Sequence, residues 1–303
     1  MRIKDIGEIG LIRHIAKDLR IDRSVIEGIG DDTAVIKWTK DKDLLFTCDM
    51  LIEDVHFKRG KATPFQIGWK ALGRNISDIA AMGGVPKYAL VSLALNPKLG
   101  VSFVDGIYKG MKALANKFKM NIVGGDTCRS EKIHIDVSLI GEVEKRNLVT
   151  RSGARKGDVI FVTGSIGGSI KGRHLNFTPR IEEAHKLVKD FKLSSMIDIS
   201  DGLILDLWRI LDASKVGAKI YENAIPVSKD ADSFEKAIHD GEDFELLFTM
   251  SVKEARAFLK KAFAKMRTPV TLIGEIVNAN QGYTLVTHDG ARKRLVPKGY
   301  LHF

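Results

Sequence analysis

Gly28–Phe57 reads GIGDDTAVIKWTKDKDLLFTCDMLIEDVHF, and the fold is decided there. Asp31 and Asp32 stand side by side after a Gly-Ile-Gly turn. Two strand-like apolar runs follow, Ala34–Trp38 and Leu44–Thr47, with Asp49 at the end of the second. Adjacent carboxylates repel, and an ionised carboxylate buried without a partner is costly. A concentration of them is therefore a solvated surface or a cation site. The pattern recurs at Asp78 in NISDIAAMGG, at Asp126 in VGGDTCRS, and at Asp198 and Asp201 in MIDISDGL. Each lies among apolar or glycine residues, where a surface carboxylate would have polar company. Hard oxygen ligands suit Mg²⁺, which takes one or two carboxylates together with substrate phosphates. The recurrence predicts an acidic, metal-loaded phosphate site.

The chain has 303 residues, enough for a sizeable core and two domains. No apolar run approaches the ~20 residues that span a bilayer. The first 19 residues, MRIKDIGEIGLIRHIAKDL, read as an amphipathic helix and not a signal peptide, since charges interrupt each apolar stretch. A cytoplasmic location is the expectation. Cys48 and Cys128 are too few for a disulfide framework or a zinc cage and read as two buried thiols. The net charge of +10 raises the question of nucleic acid. Its distribution answers it: residues 1–150 and 151–303 each carry 24 Lys+Arg against 19 Asp+Glu, with no basic tail. Arg292-Lys293-Arg294 is the one dense run, and it lacks the interleaved aromatics of single-strand binders. A general positive field that attracts anionic substrates is the reading, with no nucleic acid and no membrane as partner.

Along the chain, Ile9, Ile12, Ala16 and Leu19 place a helical stripe over 6–20. Thr63-Pro64 is an N-cap with proline at the first helical position, and that helix runs to about Met82 before Gly83-Gly84. Ala71, Asn75 and Asp78 then share one face. Lys87–Leu95 is a strand, Val101–Phe118 a helix containing Tyr108, and Asn121–Val123 a short buried strand ending at Gly124-Gly125-Asp126. Lys132–Val143 alternates as a strand with one solvated face. The polar, basic Thr150–Lys156 marks a boundary between domains 1–149 and 150–303. Beyond it lie strands at Asp158–Thr163, Ser195–Ile199, Lys219–Tyr221, Phe244–Met250, Val270–Ile276 and Tyr283–Thr287. Helices are expected over Ile181–Phe191, Leu203–Ser214 and 251–265, with Ser200 or Asp201 as N-cap of the second.

No P-loop lysine motif and no protein-kinase signature set is present. A nucleotide would have to be held through metal ions and backbone N–H groups, which phosphoryl transfer tolerates because it rests on positioning and charge stabilisation. Other residues stay open at this level. His56 is a structural hydrogen-bonder or a ligand contact, and Glu242 with Asp243 is a solvated turn or part of a site. Tyr300 is packing or pocket, and Arg151 is a surface cation or a phosphate contact.

In this order, the blocks GIGDDTAVI, TCDMLIEDVHF, GRNISDIAAMGGVP, IVGGDTCRS, TRSGARKGDVIFVTG, MIDISDGLILDL, HDGEDFELLFT and GYLHF resemble the thiamine-monophosphate kinase family. That family belongs to the superfamily that includes aminoimidazole ribonucleotide synthetase. Any one block is weak; the ordered set, over nearly the whole chain, is specific. The resemblance implies a mixed α/β fold of two domains, the N-terminal sheet pairing across a homodimer and the C-terminal half an α/β sandwich. It implies ATP-dependent, Mg²⁺-assisted phosphorylation of thiamine monophosphate to thiamine diphosphate. It carries over Asp31, Thr47, Cys48, Asp49, Asp78, Asp126, Asp198 and Asp201 as metal site, and Tyr108, Gly125, Asp126, Arg151 and Ser200 as ATP contacts. His56, Glu242 and Tyr300 match positions lining the thiamine phosphate. Two departures stand out. Cys48 is a soft ligand where the family has a hydroxyl, and Gly164–Pro179 is shorter than is usual.

The competing readings are another ATP-dependent superfamily member acting on a different acceptor, of the aminoimidazole ribonucleotide synthetase kind, and a non-catalytic nucleotide- or nucleic-acid-binding protein. DMLIEDVHF and GGDTCRS favour the thiamine enzyme over the first. The aspartate set disfavours the second, since a module that only binds polyanions gains nothing from carboxylates.

Overall fold

The computed structural model describes residues 2–17, 19–261 and 263–303. In chain order the elements are α1 (Ile3–Ala16), β1 (Val25–Glu27), β2 (Ala34–Lys37), β3 (Lys42–Ile52), α2 (Pro64–Ala81), β4 (Val85–Leu95), α3 (Val101–Phe118), β5 (Asn121–Arg129) and β6 (His134–Glu144). The second half supplies β7 (Val159–Thr163), α4 (Ile181–Asp190), β8 (Leu193–Asp198), α5 (Leu203–Ser214), β9 (Gly217–Tyr221), α6 (Phe234–His239), β10 (Leu246–Met250), α7 (Val252–Lys261), β11 (Val270–Val277), β12 (Tyr283–Val286) and β13 (Arg292–Arg294). Two mixed sheets result, ordered β1-β2-β3-β6-β4-β5 and β13-β12-β9-β11-β7-β10-β8. β4–β5 and β9–β12 are parallel, while the other ladders are antiparallel.

α2 is the axis of the molecule. Thr63 accepts the Gln66 N–H and the Gln66 side chain accepts the Thr63 N–H, a capping box that starts the helix ahead of Pro64. Twelve of its eighteen residues are buried, so it is packed on all sides instead of along one stripe. One face meets the first sheet through Ile67, Ile76 and Ile79, within a core that continues into Phe161, Met196, Leu246 and Phe248 of the second. The other side of the second sheet is covered by α5, with Ile197, Ile204, Leu207, Ile210 and Leu247 in a separate cluster. The layers are thus sheet, helices, sheet, helix, with α2 between the sheets.

α3 approaches α2 through glycine. A Cβ at Gly68 would lie 1.9 Å from the Ile107 carbonyl oxygen, and one at Gly110 2.0 Å from that of Phe65. Backbones this close leave no room for a methyl group. Gly68→Ala is expected to lower stability by about 3 kcal/mol, at the upper end of overpacking costs. Urea unfolding checks this, and an unmoved midpoint would refute the close approach.

Several expectations change. The N-terminal helix begins at Ile3, breaks at Gly7 (φ 63°), and buries no residue; of the expected span 6–20, Asp18 lies outside the described residues. β3 runs on through Ile52, so Asp49 is mid-strand. β5 reaches Arg129 and is a largely exposed sheet edge, not a short buried strand. Neither Ser200 nor Asp201 caps α5. The N-cap is Gly202 without a side-chain bond, and Asp206 from the first turn accepts the N–H groups of Asp201 (3.0 Å) and Gly202 (3.1 Å). The helix expected over 251–265 ends at Lys261 and is followed by a 3₁₀ turn; Ala262 lies outside the described residues. The basic run Arg292–Arg294 is an edge strand, and β1 and α6 carried no pattern strong enough to announce them. Gly164–Pro179 folds as two 3₁₀ turns, with Phe177 stacked on Phe244 at 3.9 Å and its carbonyl accepting the Trp69 indole N–H at 2.6 Å.

Candidate active site

β3 and the turn that follows it run beside α2 in the opposite sense, and three rungs connect them to it. Thr47 donates its hydroxyl to Asp78, Asp49 faces Arg74 (3.3 Å), and the carbonyl of His56 accepts from Lys70 (2.7 Å). Lys70, Arg74 and Asp78 follow one another at intervals of four, so they form a line along one helix face. The second half closes the other side. Ser77 donates to Asp198 at the end of β8 (2.6 Å), and Glu242 pairs with Lys70, which is 0% exposed. Of these, Thr47, Asp49, His56, Arg74, Asp78, Asp198 and Glu242 line a cavity of about 1680 Å³.

At one end of the line, Asp32, Asp78 and Asp198 bring one carboxylate oxygen each within 4.8 Å of the others. Asp32 Oδ2 is buried with no hydrogen-bond partner among the described residues. Burial, followed by neighbouring carboxylates, raises the pKa of Asp78 and of Asp198 well above the usual range. Three crowded carboxylates and an orphaned buried oxygen fit a hard divalent cation, which would satisfy both the charge and the vacant lone pairs. Arg151 flanks this end. Its backbone N–H goes to Asp31 (2.9 Å) and its guanidinium to Asp32 (2.7 Å) and the Gly30 carbonyl (3.2 Å). Arg209 bonds Asp201 (2.6 Å) and Asp206 (2.5 Å).

The opposite end is organic in character. His56 Nδ1 accepts the Ile52 N–H (3.0 Å), and burial, then Arg74 and Lys70, push its pKa down to about 3, so the ring is neutral. Its ring lies 5.3 Å from that of His302, which in turn meets Tyr300 at 5.0 Å. Tyr300 is placed by its N–H to the Asp201 carbonyl (2.9 Å). Glu242 and Phe244 both hold left-handed backbone (φ 66° and 52°), zipped to Ser200 and Ile199 carbonyls at 2.6 and 2.8 Å. Non-glycine residues so held concentrate at functional sites.

Residues 30–143 match the family model "AIR synthase related protein, N-terminal domain", and residues 155–286 the corresponding C-terminal domain. The thiamine-monophosphate kinase of Bacillus subtilis is 37% identical over 98% of this chain and 99% of its own length. That of Aquifex aeolicus is 37% identical over the full length of both. The chain belongs to the thiamine-monophosphate kinase family. The solved structure described as "AaThiL complexed with AMPPCP and TMP" superposes with a TM-score of 0.86 at 36% identity, covering 100% of this chain and 99% of that one.

Against the residues that the family resemblance singled out, the geometry sorts them into two groups. Asp31, Thr47, Asp49, Asp78, Asp198, Asp201, Arg151, Ser200, His56, Glu242 and Tyr300 all line the one cavity. Asp32 and not Asp31 joins the carboxylate triad, since Asp31 turns to the Arg151 backbone. Cys48 points to the other face of β3, as period-two alternation requires between Thr47 and Asp49. Its thiol meets Asp136 (3.2 Å), and like Cys128 it is exposed and not a buried thiol. Tyr108, Gly125 and Asp126 lie outside the cavity. Tyr108 borders a separate hollow on α3, beside Asp105, Lys112 and Asn116. Asp126 is in register with Ser92, which pairs with Asp136, which pairs with Met50; all four share the sheet face turned away from α2. Gly125 presses on β4, where a Cβ would meet the Val91 carbonyl oxygen at 1.8 Å. Lys70 and Arg74 went unnoticed in the sequence, although their spacing of eight and four from Asp78 was there to find.

A stability test follows from the carboxylates. Asp31 is pushed up to about 7, by burial first and then by Asp32. A carboxyl with a higher pKa folded than unfolded keeps its proton only in the folded chain, so its contribution is lost as pH rises through the folded value. His56 acts in the opposite sense and is finished by about pH 6.5, its unfolded pKa. Asp206 and Asp243 are likewise pushed up to about 7 by burial, so between pH 6.5 and 7.5 the metal-free protein is expected to lose about 2 kcal/mol, and the stabilisation by added Mg²⁺ to grow. Thermal melts with EDTA or Mg²⁺ read both. A Mg²⁺ shift independent of pH would contradict a cation site at these carboxylates.

Proposed function

We propose that this chain transfers the γ-phosphoryl group of ATP to thiamine monophosphate, yielding thiamine diphosphate and ADP. The observation that carries the reading is the line on α2, which joins a carboxylate triad suited to Mg²⁺ to a pocket of His56, Glu242 and Tyr300 in one cavity. We propose Asp32, Asp78 and Asp198 as the centre of the metal site, with Thr47, Asp49, Asp31 and Asp201 around it. Bound there, Mg²⁺ would supply the positive charge that two phosphate groups need in order to approach each other.

The acceptor is a phosphate monoester, with a second pKa near 6, so an attacking oxygen is already ionised at neutral pH. An acceptor oxygen bonds to the γ-phosphorus as the bond to the β,γ-bridging oxygen breaks, and ADP leaves with that electron pair. No general base and no phospho-enzyme is needed. Neutral His56 offers its Nε2–H as a donor, and Glu242 places carboxylate charge where the permanently cationic thiazolium of thiamine would sit. The chain's own residues thus bind, orient and neutralise.

We further propose that the protein works as a homodimer in the cytoplasm, with residues 1–149 and 150–303 as its domains. The sheet face turned from α2 exposes Phe46 (41%), Met50 (49%), Tyr88 (49%) and Leu90 (49%), an apolar surface apt for a second copy. The cavity runs on to that same face at Ala34, Ile36, Phe46 and Cys48. Asp126, on the far edge of the sheet and this same face, with Gly125 beside it in the backbone, would enter the site of the partner and contact its nucleotide. Among the described residues no helix is long and apolar enough to cross a membrane.

Product analysis with ATP and Mg²⁺ tests the reaction, comparing thiamine monophosphate with free thiamine and aminoimidazole-type acceptors. Thiamine diphosphate formed from the monophosphate alone is the expected result. ATP binding without that product would leave the fold assignment intact and overturn the substrate.

A further inference from the structure

Arg74, Arg151 and Arg209 line the cavity beside the carboxylates, and Lys70 is buried next to Arg74 on α2. Lys70 is spent on the His56 carbonyl and Glu242. Arg151 is spent on Asp32 and the Gly30 carbonyl, and Arg209 on Asp201 and Asp206. Arg74 differs. Its two hydrogen bonds, to Asp49 and to the Met50 carbonyl, are long at 3.3 and 3.2 Å. A guanidinium has five N–H donors; each of the three arginines uses two, but Arg74 has no contact as short as the 2.5–2.7 Å bonds that hold Arg151 to Asp32 and Arg209 to Asp201 and Asp206. The side chain is 16% exposed, and what it exposes is turned to the cavity.

Its place on the helix matters as much. Asp78 of the carboxylate triad lies one turn beyond Arg74, and Lys70, which fixes Glu242 and the His56 segment, lies one turn before it. An acceptor with its ring system at His56, Glu242 and Tyr300 and its phosphate directed to the triad must pass that phosphate by Arg74. Neutral His56 has no charge to offer it.

We infer that Arg74 is the residue that recognises the acceptor's phosphate. Two parallel N–H donors of its planar fork take two non-bridging oxygens of the monoester, while the third oxygen stays free to attack. Asp49 holds the guanidinium in the cavity until then and shares it afterwards. The fork is thereby a specificity device: it distinguishes a phosphorylated acceptor from the free alcohol before any metal or nucleotide is bound. This assignment rests on the reaction proposed above.

The test is acceptor binding to the metal-free protein in EDTA, followed by calorimetry or by tryptophan fluorescence, since Trp208 lines the cavity. The wild type is expected to bind thiamine monophosphate about 10- to 100-fold more tightly than thiamine, the range of a charged bidentate contact. Arg74→Met is expected to bring that ratio to within about 2-fold by weakening the monophosphate alone, with Arg74→Lys between, because a point charge replaces the fork. In turnover, the KM for the acceptor rises by a similar factor while that for ATP stays within about 3-fold. Circular dichroism confirms that each variant is folded, and Arg74→Lys, which retains the charge, keeps the test usable if Arg74→Met does not fold. An unchanged ratio in the variants, equal weakening of both acceptors, or no preference in the wild type would overturn the assignment. The two levels separate cleanly. A wild type that prefers the monophosphate through Arg74 yet makes no diphosphate would refute the reaction and keep the fork. Diphosphate formation with an unaltered ratio in Arg74→Met would do the reverse.

Discussion

Asp198→Asn is expected to lower kcat/KM at saturating Mg²⁺ by about 10³-fold or more, on the scale seen when a charge-stabilising group is removed from a transferring phosphoryl. The same change is expected to make the metal-free protein slightly more stable. Asp198 is 2% exposed and shares a space of under 5 Å with Asp32 and Asp78. Asparagine keeps an oxygen for the Ser77 hydroxyl (2.6 Å in the parent) and removes one of three mutually repelling charges. A gain of about 1 kcal/mol, or about 2 °C in Tm, is in proportion for a chain of this size. The paired outcome separates a functional carboxylate from a structural one, because a residue needed for folding would lose both together. Turnover within tenfold of the parent, or an unmoved Mg²⁺ dependence, would remove Asp198 from the site. Sites that trade stability for function in this way are common, and the trade here has a plain electrostatic origin.

Asp126→Asn tested against Asp78→Asn should show complementation. Each variant alone is expected to be inactive as a homodimer. In a mixed dimer with Asp126 serving the partner's cavity, both substitutions fall in one site and the other site is intact. Random pairing of equal amounts then restores about a quarter of the parental activity. If Asp126 served its own chain, every site in the mixture would carry one substitution and activity would stay at background. The reason to expect the first result is topological. Asp126 lies on the face of β5 continuous with Met50 and Asp136, whereas Asp78 and Thr47 lie on the α2 side of the same sheet. A side chain cannot cross its own sheet, but in the proposed homodimer a two-fold related copy packed on the exposed face would bring its edge strand to the cavity's opening at Phe46 and Cys48.

Much of the molecule was legible in one dimension. The Thr63-Pro64 start of α2, the extent of α3, and the alternation along β6 are local matters of capping and periodicity, and the structure has them where the residues indicate. The aspartates were legible for a different reason: a carboxylate among apolar neighbours violates the ordinary rule of burial, and such violations mark sites. Tertiary structure decided what depends on direction and on distance in space. Which of Asp31 and Asp32 enters the triad is set by Arg151, 120 residues away, whose backbone claims the first and leaves one oxygen of the second bare. Thr47 and Asp49 rather than Cys48 face α2 because side chains alternate along a strand that continues past the point where its apolar run stops. The roles of Lys70 and Arg74 appear only once β3 and the Glu242 loop are laid against α2, since a cation in a helix reads as a solvated side chain until its partners arrive from elsewhere. Local chemistry named most of the carboxylates that line the cavity, though not Asp32 as a member of the triad. The packing of α2 between two sheets put them in order along a single line, because only a buried helix can face two halves of a chain at once.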